Sequence, residues 1–208
     1  MMEFRERECN TEAMSGFQLL PLSELRTHRS EKWRTFPEDV LPLPVAEMDF
    51  PVATPIKSIL QTMVGQSDLG YLGPIPEMGE AFAKFATGRF GWTPDPKQLR
   101  IAADVGVGIV EALRVFTKPG DSIMINSPVY PNFFTWANET HLKIVDVPLS
   151  HNDNETSDGS SWHLDWPGIE AAYKSGLKVH LICNPHNPLG RLYSADELNR
   201  LVALAKAH

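Results

Sequence analysis

Three short segments of this sequence combine residue types and spacings suited to a small, flat, anionic ligand. The most specific is Cys183-Asn-Pro-His-Asn-Pro-Leu-Gly-Arg191, which follows an apolar run and precedes a helical one. Asn and Pro each favour turns, but turn chemistry does not account for two Asn-Pro pairs so close together at the end of a strand. An amide placed there can donate to a phenolate oxygen and tune its acidity. His186, inside the segment, reads as a structural loop residue rather than a base. The second segment, Asn126-Ser-Pro-Val-Tyr-Pro-Asn-Phe-Phe134, holds Tyr130 between Pro128 and Pro131 near a helix start, with its ring available to a planar ligand. Phe133 and Phe134 fit better as core aromatics. The third, Ala103-Asp-Val-Gly-Val-Gly-Ile-Val-Glu-Ala-Leu113, puts Gly106 and Gly108 where a strand runs into a helix. A helix start offers free N–H groups and a positive dipole end, a ready phosphate site. The same glycines also suit a turn that binds nothing. A dinucleotide fingerprint would need a glycine where Glu111 stands and an acidic residue where Ile125 and Asn126 end the next strand.

The surrounding pattern supplies the elements that position these segments. Apolar residues recur at helical spacing over 53–64, 75–90, 108–117 and 195–205. Short apolar runs at 100–103, 122–126, 143–147 and 178–183 interleave with them and read as strands. Alternation of this kind predicts an α/β fold with a mainly parallel sheet and flanking helices. Prolines at 37, 42, 44, 51 and 55 preclude helix before that, so the N-terminal stretch reads as an extended arm. Residues 150–161, rich in Asn, Asp and Ser, read as a solvated loop.

Composition narrows the function classes. A formal charge of −7 disfavours a general nucleic-acid binder. No apolar run approaches the ~20 residues of a membrane span, and residues 1–10 mix Arg5 and Arg7 with Glu3, Glu6 and Glu8, unlike a secretory signal. A cytoplasmic location is the expectation. The two cysteines, Cys9 and Cys183, are too far apart for a disulfide framework or a zinc site.

In this order and at these separations, the three segments resemble the pyridoxal-phosphate (PLP) binding domain of class I/II aminotransferase-fold enzymes. The resemblance implies that Gly108, Ile109 and Val110 give backbone N–H groups to the cofactor phosphate, that Tyr130 stacks on the pyridine ring and that Asn187 bonds its O3′. Gly70-Tyr-Leu-Gly-Pro74 is similar to the segment in which a tyrosine, here Tyr71, reaches the phosphate of the neighbouring subunit, which implies a homodimer. Ser30-Glu-Lys-Trp33 and Leu43-Pro-Val-Ala-Glu-Met-Asp-Phe50 look like the cystathionine β-lyase (cysteine-S-conjugate β-lyase) subgroup. Glu47 and Asp49 are assigned structural roles, because acid–base chemistry in that fold belongs to the cofactor's lysine.

None of the nine lysines stands in the family's Schiff-base context, so no catalytic residue is assigned. The implied organisation is an arm with a small-domain segment over 1–52 and the N-terminal part of a PLP-binding large domain over 53–208. The implied activity is carbon–sulfur β-elimination from cystathionine or cysteine conjugates, giving a thiol, pyruvate and ammonia. An aminotransferase or a non-catalytic product are the alternatives. The resemblance implies that strand 100–103 pairs with a strand later in the family's sequence and is orphaned here, and that 178–183 loses one such partner and becomes an exposed edge, so the chain alone is expected to be poorly folded and inactive.

Overall fold

The computed structural model describes residues 19–154, 156 and 159–208; the reading of residues 1–10, and Cys9 with it, lies outside them. Two compact units result, the first ending at Ile75 and the second running from Pro76 to His208.

The first unit contains two single-turn helices, α1 (Leu22–Leu25) and α2 (Glu31–Arg34), and one longer helix, α3 (Thr54–Gly65). The proline-rich stretch between α2 and α3 has no regular structure, as fixed φ angles and missing N–H donors dictate. Pro55 sits in the first turn of α3, where its missing donor costs nothing.

The second unit begins with α4 (Pro76–Phe90), a 3-10 turn at Pro96–Gln98 and α5 (Val105–Phe116). Then come β1 (Ser122–Ile125), α6 (Asn132–Glu139), β2 (Lys143–Asp146), a two-residue hairpin of β3 (Ser150–His151) and β4 (Trp162–His163), α7 (Trp166–Lys174), β5 (Val179–His180) and α8 (Ala195–Ala207). Both β2 and β5 pair with β1 in parallel, giving the order β2-β1-β5. As the central strand, β1 is apolar and buried from Ile123 to Ile125, because both of its faces are covered. Successive side chains go to opposite faces. Ile123 packs with Leu113 of α5 and Ala137 of α6, and Ile125 with Phe133 of α6. Met124 lies in the opposite cluster, with Ile169, Ala172 and Tyr173 of α7 and Leu201 of α8. The result is a three-layer α/β/α arrangement.

Helix starts follow local chemistry. Asp104 accepts from the Val107 N–H at 2.8 Å to cap α5, Asp165 accepts from Gly168 to cap α7, and Ser194 with Glu197 forms a reciprocal capping box on α8.

Four expectations are corrected. The N-terminal arm is not extended throughout, since the single turns α1 and α2 form within it, and the strand expected over 178–183 is reduced to Val179–His180. Residues 100–103 form no ladder, because no strand among the described residues lies beside them. The stretch 150–161 is not loop throughout: Ser150 pairs with His163 and His151 with Trp162, so its start belongs to the hairpin. Among the described residues, no helix is long and apolar enough to cross a membrane, and no cluster of three or more His, Cys, Asp or Glu could hold a metal ion.

Candidate functional site at the carboxyl edge of the sheet

Strand order locates the site. Helix α6 connects β1 to β2 on one face and α7 leads from the hairpin to β5 on the other, so the winding direction reverses between β1 and β5. Open α/β sheets bind ligands in the crevice beyond the carboxyl ends at such a switch point. The two segments leaving that edge, residues 126–131 and 181–191, are those whose residue types suit the chemistry.

Tyr130 stands between β1 and α6 with 39% of its surface exposed. Its ring meets Trp136 edge-on, centroids 6.2 Å apart, and its hydroxyl accepts from Asn132 Nδ2 at 3.0 Å. These contacts fix the ring without covering it. Beside it opens a cavity of about 780 Å3, lined by Asp104, Gly106, Val110, Tyr130 and Trp136 among others, none of them a lysine.

Helix α5 starts earlier than its glycine spacing suggests. Because α5 begins at Val105, the Gly108 N–H already donates to Asp104 O at 3.1 Å, and Ile109 packs toward the core. The N–H groups of Val105 and Gly106 are the first-turn donors without an intrahelical acceptor. Gly106 is required here, since a Cβ would stand 2.9 Å from Trp136 Nε1 and 3.1 Å from Asp104 Oδ1. Of the three residues expected at a phosphate, Val110 lines the cavity, while Gly108 and Ile109 lie within the helix body.

The doubled Asn-Pro segment divides its labour. Asn184 Oδ1 accepts from the Tyr193 N–H at 3.2 Å and is committed to the fold. Asn187 anchors only its backbone, N–H to Cys183 Sγ at 3.3 Å; its side chain is exposed and makes no hydrogen bond among the described residues. The loop closes where His186 and Arg191 form an antiparallel bridge, with Gly190 at φ +69°, a conformation that favours glycine. Arg191 is buried, ion-paired with Glu197 of α8 and stacked over Tyr193 with its guanidinium carbon 4.5 Å from the ring centre.

His186 is 1% exposed, and burial holds its pKa below the usual imidazole value. Its Nε2 lies 2.9 Å from Pro128 O and its Nδ1 2.7 Å from the Tyr193 hydroxyl. A carbonyl only accepts, so Nε2 carries the proton and Tyr193 donates to Nδ1. That is a satisfied structural histidine, as the sequence suggested. A parallel arrangement was not foreseen: His180 of β5 contacts Asn126 Oδ1 at 2.7 Å through Nε2 and the Tyr173 hydroxyl at 3.0 Å through Nδ1. The available signal was a histidine interrupting the apolar run 177–183.

In the first unit, Lys32 is buried and donates to Asp49 Oδ2 at 2.7 Å and to Glu47 O at 3.1 Å, while Ser30 Oγ donates to Glu47 Oε1 at 2.7 Å. Glu47 and Asp49 thus hold the two motifs of the arm together, in line with a structural role. Tyr71 is fully exposed in an irregular segment.

Comparison with known proteins adds to this geometry. The family model "Aminotransferase class I and II" matches residues 38–208. The chain belongs to that family. Within the aminotransferase class I and II family it is 33% identical to "Cystathionine beta-lyase" of Corynebacterium glutamicum over 184 residues, 88% of this chain and 47% of the relative. It is 28% identical to "Cystathionine beta-lyase PatB" of Bacillus subtilis, over 82% of this chain and 43% of the relative. Among solved structures, cystalysin from Treponema denticola, which contains a pyridoxal 5′-phosphate cofactor, superposes with a TM-score of 0.76 at 29% identity, covering 88% of this chain and 47% of its own. The chain therefore spans about half the length of the curated relatives it matches.

Proposed function

We propose that this chain carries the cofactor cradle of a PLP-dependent carbon–sulfur β-lyase acting on cystathionine or cysteine conjugates to release a thiol, pyruvate and ammonia. What supports the reading is that Tyr130 and Asn187 sit on the segments that follow the carboxyl ends of the neighbouring strands β1 and β5, with the capped start of α5 lining the cavity beside Tyr130. Relatives named cystathionine beta-lyase support the choice of chemistry.

The helix start, Tyr130 and Asn187 fit such a cofactor, while Asp104, Glu111 and Glu139 face the same cavity with Arg114 as the one cation among its described lining residues. The helix start at Val105 and Gly106 leaves two N–H groups open, and the missing Cβ of Gly106 lets Trp136 and Asp104 pack closely against that turn. Tyr130 offers a face to the pyridine ring, Asn187 a donor to its O3′, and Gly108, Ile109 and Val110 back the phosphate site as the second turn of the same helix. Bound PLP supplies an electron sink for the pair left when a substrate's Cα proton departs. The part these residues play is to hold and orient the ring through stacking and hydrogen bonding. Tyr71 is assigned to the phosphate of a neighbouring subunit, which makes the assembly a homodimer. The setting is cytoplasmic amino-acid metabolism, with no nucleic-acid or membrane partner.

Given cystathionine, the full-length protein should release pyruvate, followed by coupled reduction to lactate, faster than it passes an amino group to a keto acid. Thiolate is a good leaving group from Cβ. Efficient transamination without pyruvate would leave the cofactor reading standing and overturn the lyase.

Tyr130→Ala and Asn187→Ala should each weaken PLP retention by about 1 kcal/mol or somewhat more, one through lost stacking and the other through a lost hydrogen bond. Cofactor titration followed by absorbance checks this; wild-type affinity in both variants would put the pocket elsewhere.

A further inference from the structure

We propose that two tyrosine–histidine pairs, Tyr173–His180 with its half-buried imidazole and the buried Tyr193–His186, are positioning residues that hold the segment 126–128 and thereby set where Tyr130 stands at the ligand edge. The inference rests on the cofactor reading for its purpose, but its geometry is independent of that reading.

Each pair is a directed chain of hydrogen bonds. Asn126 Nδ2 donates to Val147 O at 2.9 Å, which turns its Oδ1 toward His180. His180 Nε2 therefore carries the proton, and its bare Nδ1 accepts from Tyr173. One side chain thus ties together the ends of all three parallel strands: Asn126 follows β1, Val147 follows β2 and His180 ends β5. Two residues further on, His186 Nε2–H reaches Pro128 O, with Tyr193 donating behind it. Burial raises the pKa of Tyr173 and pushes Tyr193 up to about 12, so both hydroxyls remain donors at neutral pH.

Between the two chains the backbone is also held. The Ser127 N–H donates to Asp146 Oδ1 at 3.0 Å and its carbonyl accepts from the Leu149 N–H at 2.8 Å. The three residues leaving β1 are therefore tied from β2, from β5 and from the Asn187-bearing loop. Tyr130 lies two residues beyond Pro128, and Asn187 directly follows His186. The pair Tyr193–His186 fixes the spacing between these two ligand-facing side chains through a single imidazole.

Glutamine separates positioning from mere packing. Its Nε2 can donate where imidazole Nε2 does and its Oε1 can accept the tyrosine hydroxyl, whereas leucine fills the volume and does neither. In the full-length protein, His186→Leu and His180→Leu should raise amide exchange across residues 127–132 about tenfold and weaken PLP binding by a similar factor. His186→Gln and His180→Gln should stay within about twofold on both. Tyr173→Phe and Tyr193→Phe, which keep the ring and remove the donor, should fall between. Leucine variants that lower the melting temperature but leave local exchange and PLP affinity unchanged, measured well below melting, would overturn the proposal. So would glutamine variants as impaired as leucine ones. If wild-type protein binds no PLP while segment exchange still separates leucine from glutamine, the positioning stands and the cofactor reading falls.

Discussion

Arg191→Ala is expected to destabilise the second unit by about 3–5 kcal/mol, read as a lower urea midpoint. Arg191 is among the largest fully buried side chains, and its one charged partner, Glu197, is itself mostly covered. Truncation strands that carboxylate in a poorly solvated position and leaves a cavity over Tyr193, whose ring faces the guanidinium. It also strips a partner from the residue that completes the capping box of α8, where Glu197 Oε2 accepts from the Ser194 N–H at 2.9 Å. The pair itself is not optimal, because Arg191 Nε and Nη1 are buried without a hydrogen-bond partner among the described residues. Replacing both charges should therefore be far milder than removing one. Arg191→Met combined with Glu197→Gln keeps volume and the cap acceptor, and should lie within about 1.5 kcal/mol of wild type. A double variant as unstable as Arg191→Ala would show that the ion pair is net stabilising.

Parts of this architecture are legible in the sequence for identifiable reasons. The helices at 54–65, 76–90 and 195–207 carry long apolar periodicities, and β1 and β2 carry short β-branched runs between turn residues, so local pattern and tertiary role agree. Helix α7 places Trp166, Ile169, Ala172 and Tyr173 at helical spacing, but at nine residues it is too short for that periodicity to stand out. Its clearer signal is Asp165-Trp-Pro-Gly, an N-cap followed by a first-turn proline. Residues 100–103 look like a strand because their side chains suit one, but a ladder needs a neighbour, and neighbours are not a property of local sequence.

At the candidate site, local spacing leaves the register open. Glycine spacing drew attention to Gly108, whereas Asp104 sets the start of α5 by capping Val107, moving the open donors back to Val105 and Gly106. The choice between Asn184 and Asn187 turns on which amide the fold consumes, here that of Asn184 through Tyr193 N–H. The half-buried His180 chain spans residues 126, 147, 173 and 180, a long-range meeting that no spacing rule contains.

That chain leads to an expected pH dependence. Burial lowers the pKa of His180 to about 4 in the fold, against 6.5 for an exposed imidazole. Between those values the unfolded chain binds a proton that the folded one excludes, so stability rises with pH across the window. The contribution is fully present above about pH 6.5 and is lost as pH falls toward 4, by about 3 kcal/mol in all and about 2 kcal/mol between pH 7 and 5. His186, also held below its ordinary value by burial, acts in the same direction. Carboxylates enter lower down. Glu170, whose pKa its hydrogen bond to Lys174 depresses, loses its contribution only as pH falls below the ordinary glutamate range. The interval from pH 7 to 5 therefore isolates the histidines. Urea unfolding at half-unit steps should show a decline there in wild type and a shallower one in His180→Gln, which keeps both hydrogen bonds but cannot take up a proton. Equal slopes in the two proteins would mean that His180 is solvated well enough to titrate normally, and the directed chain from Tyr173 to Val147 would lose its basis.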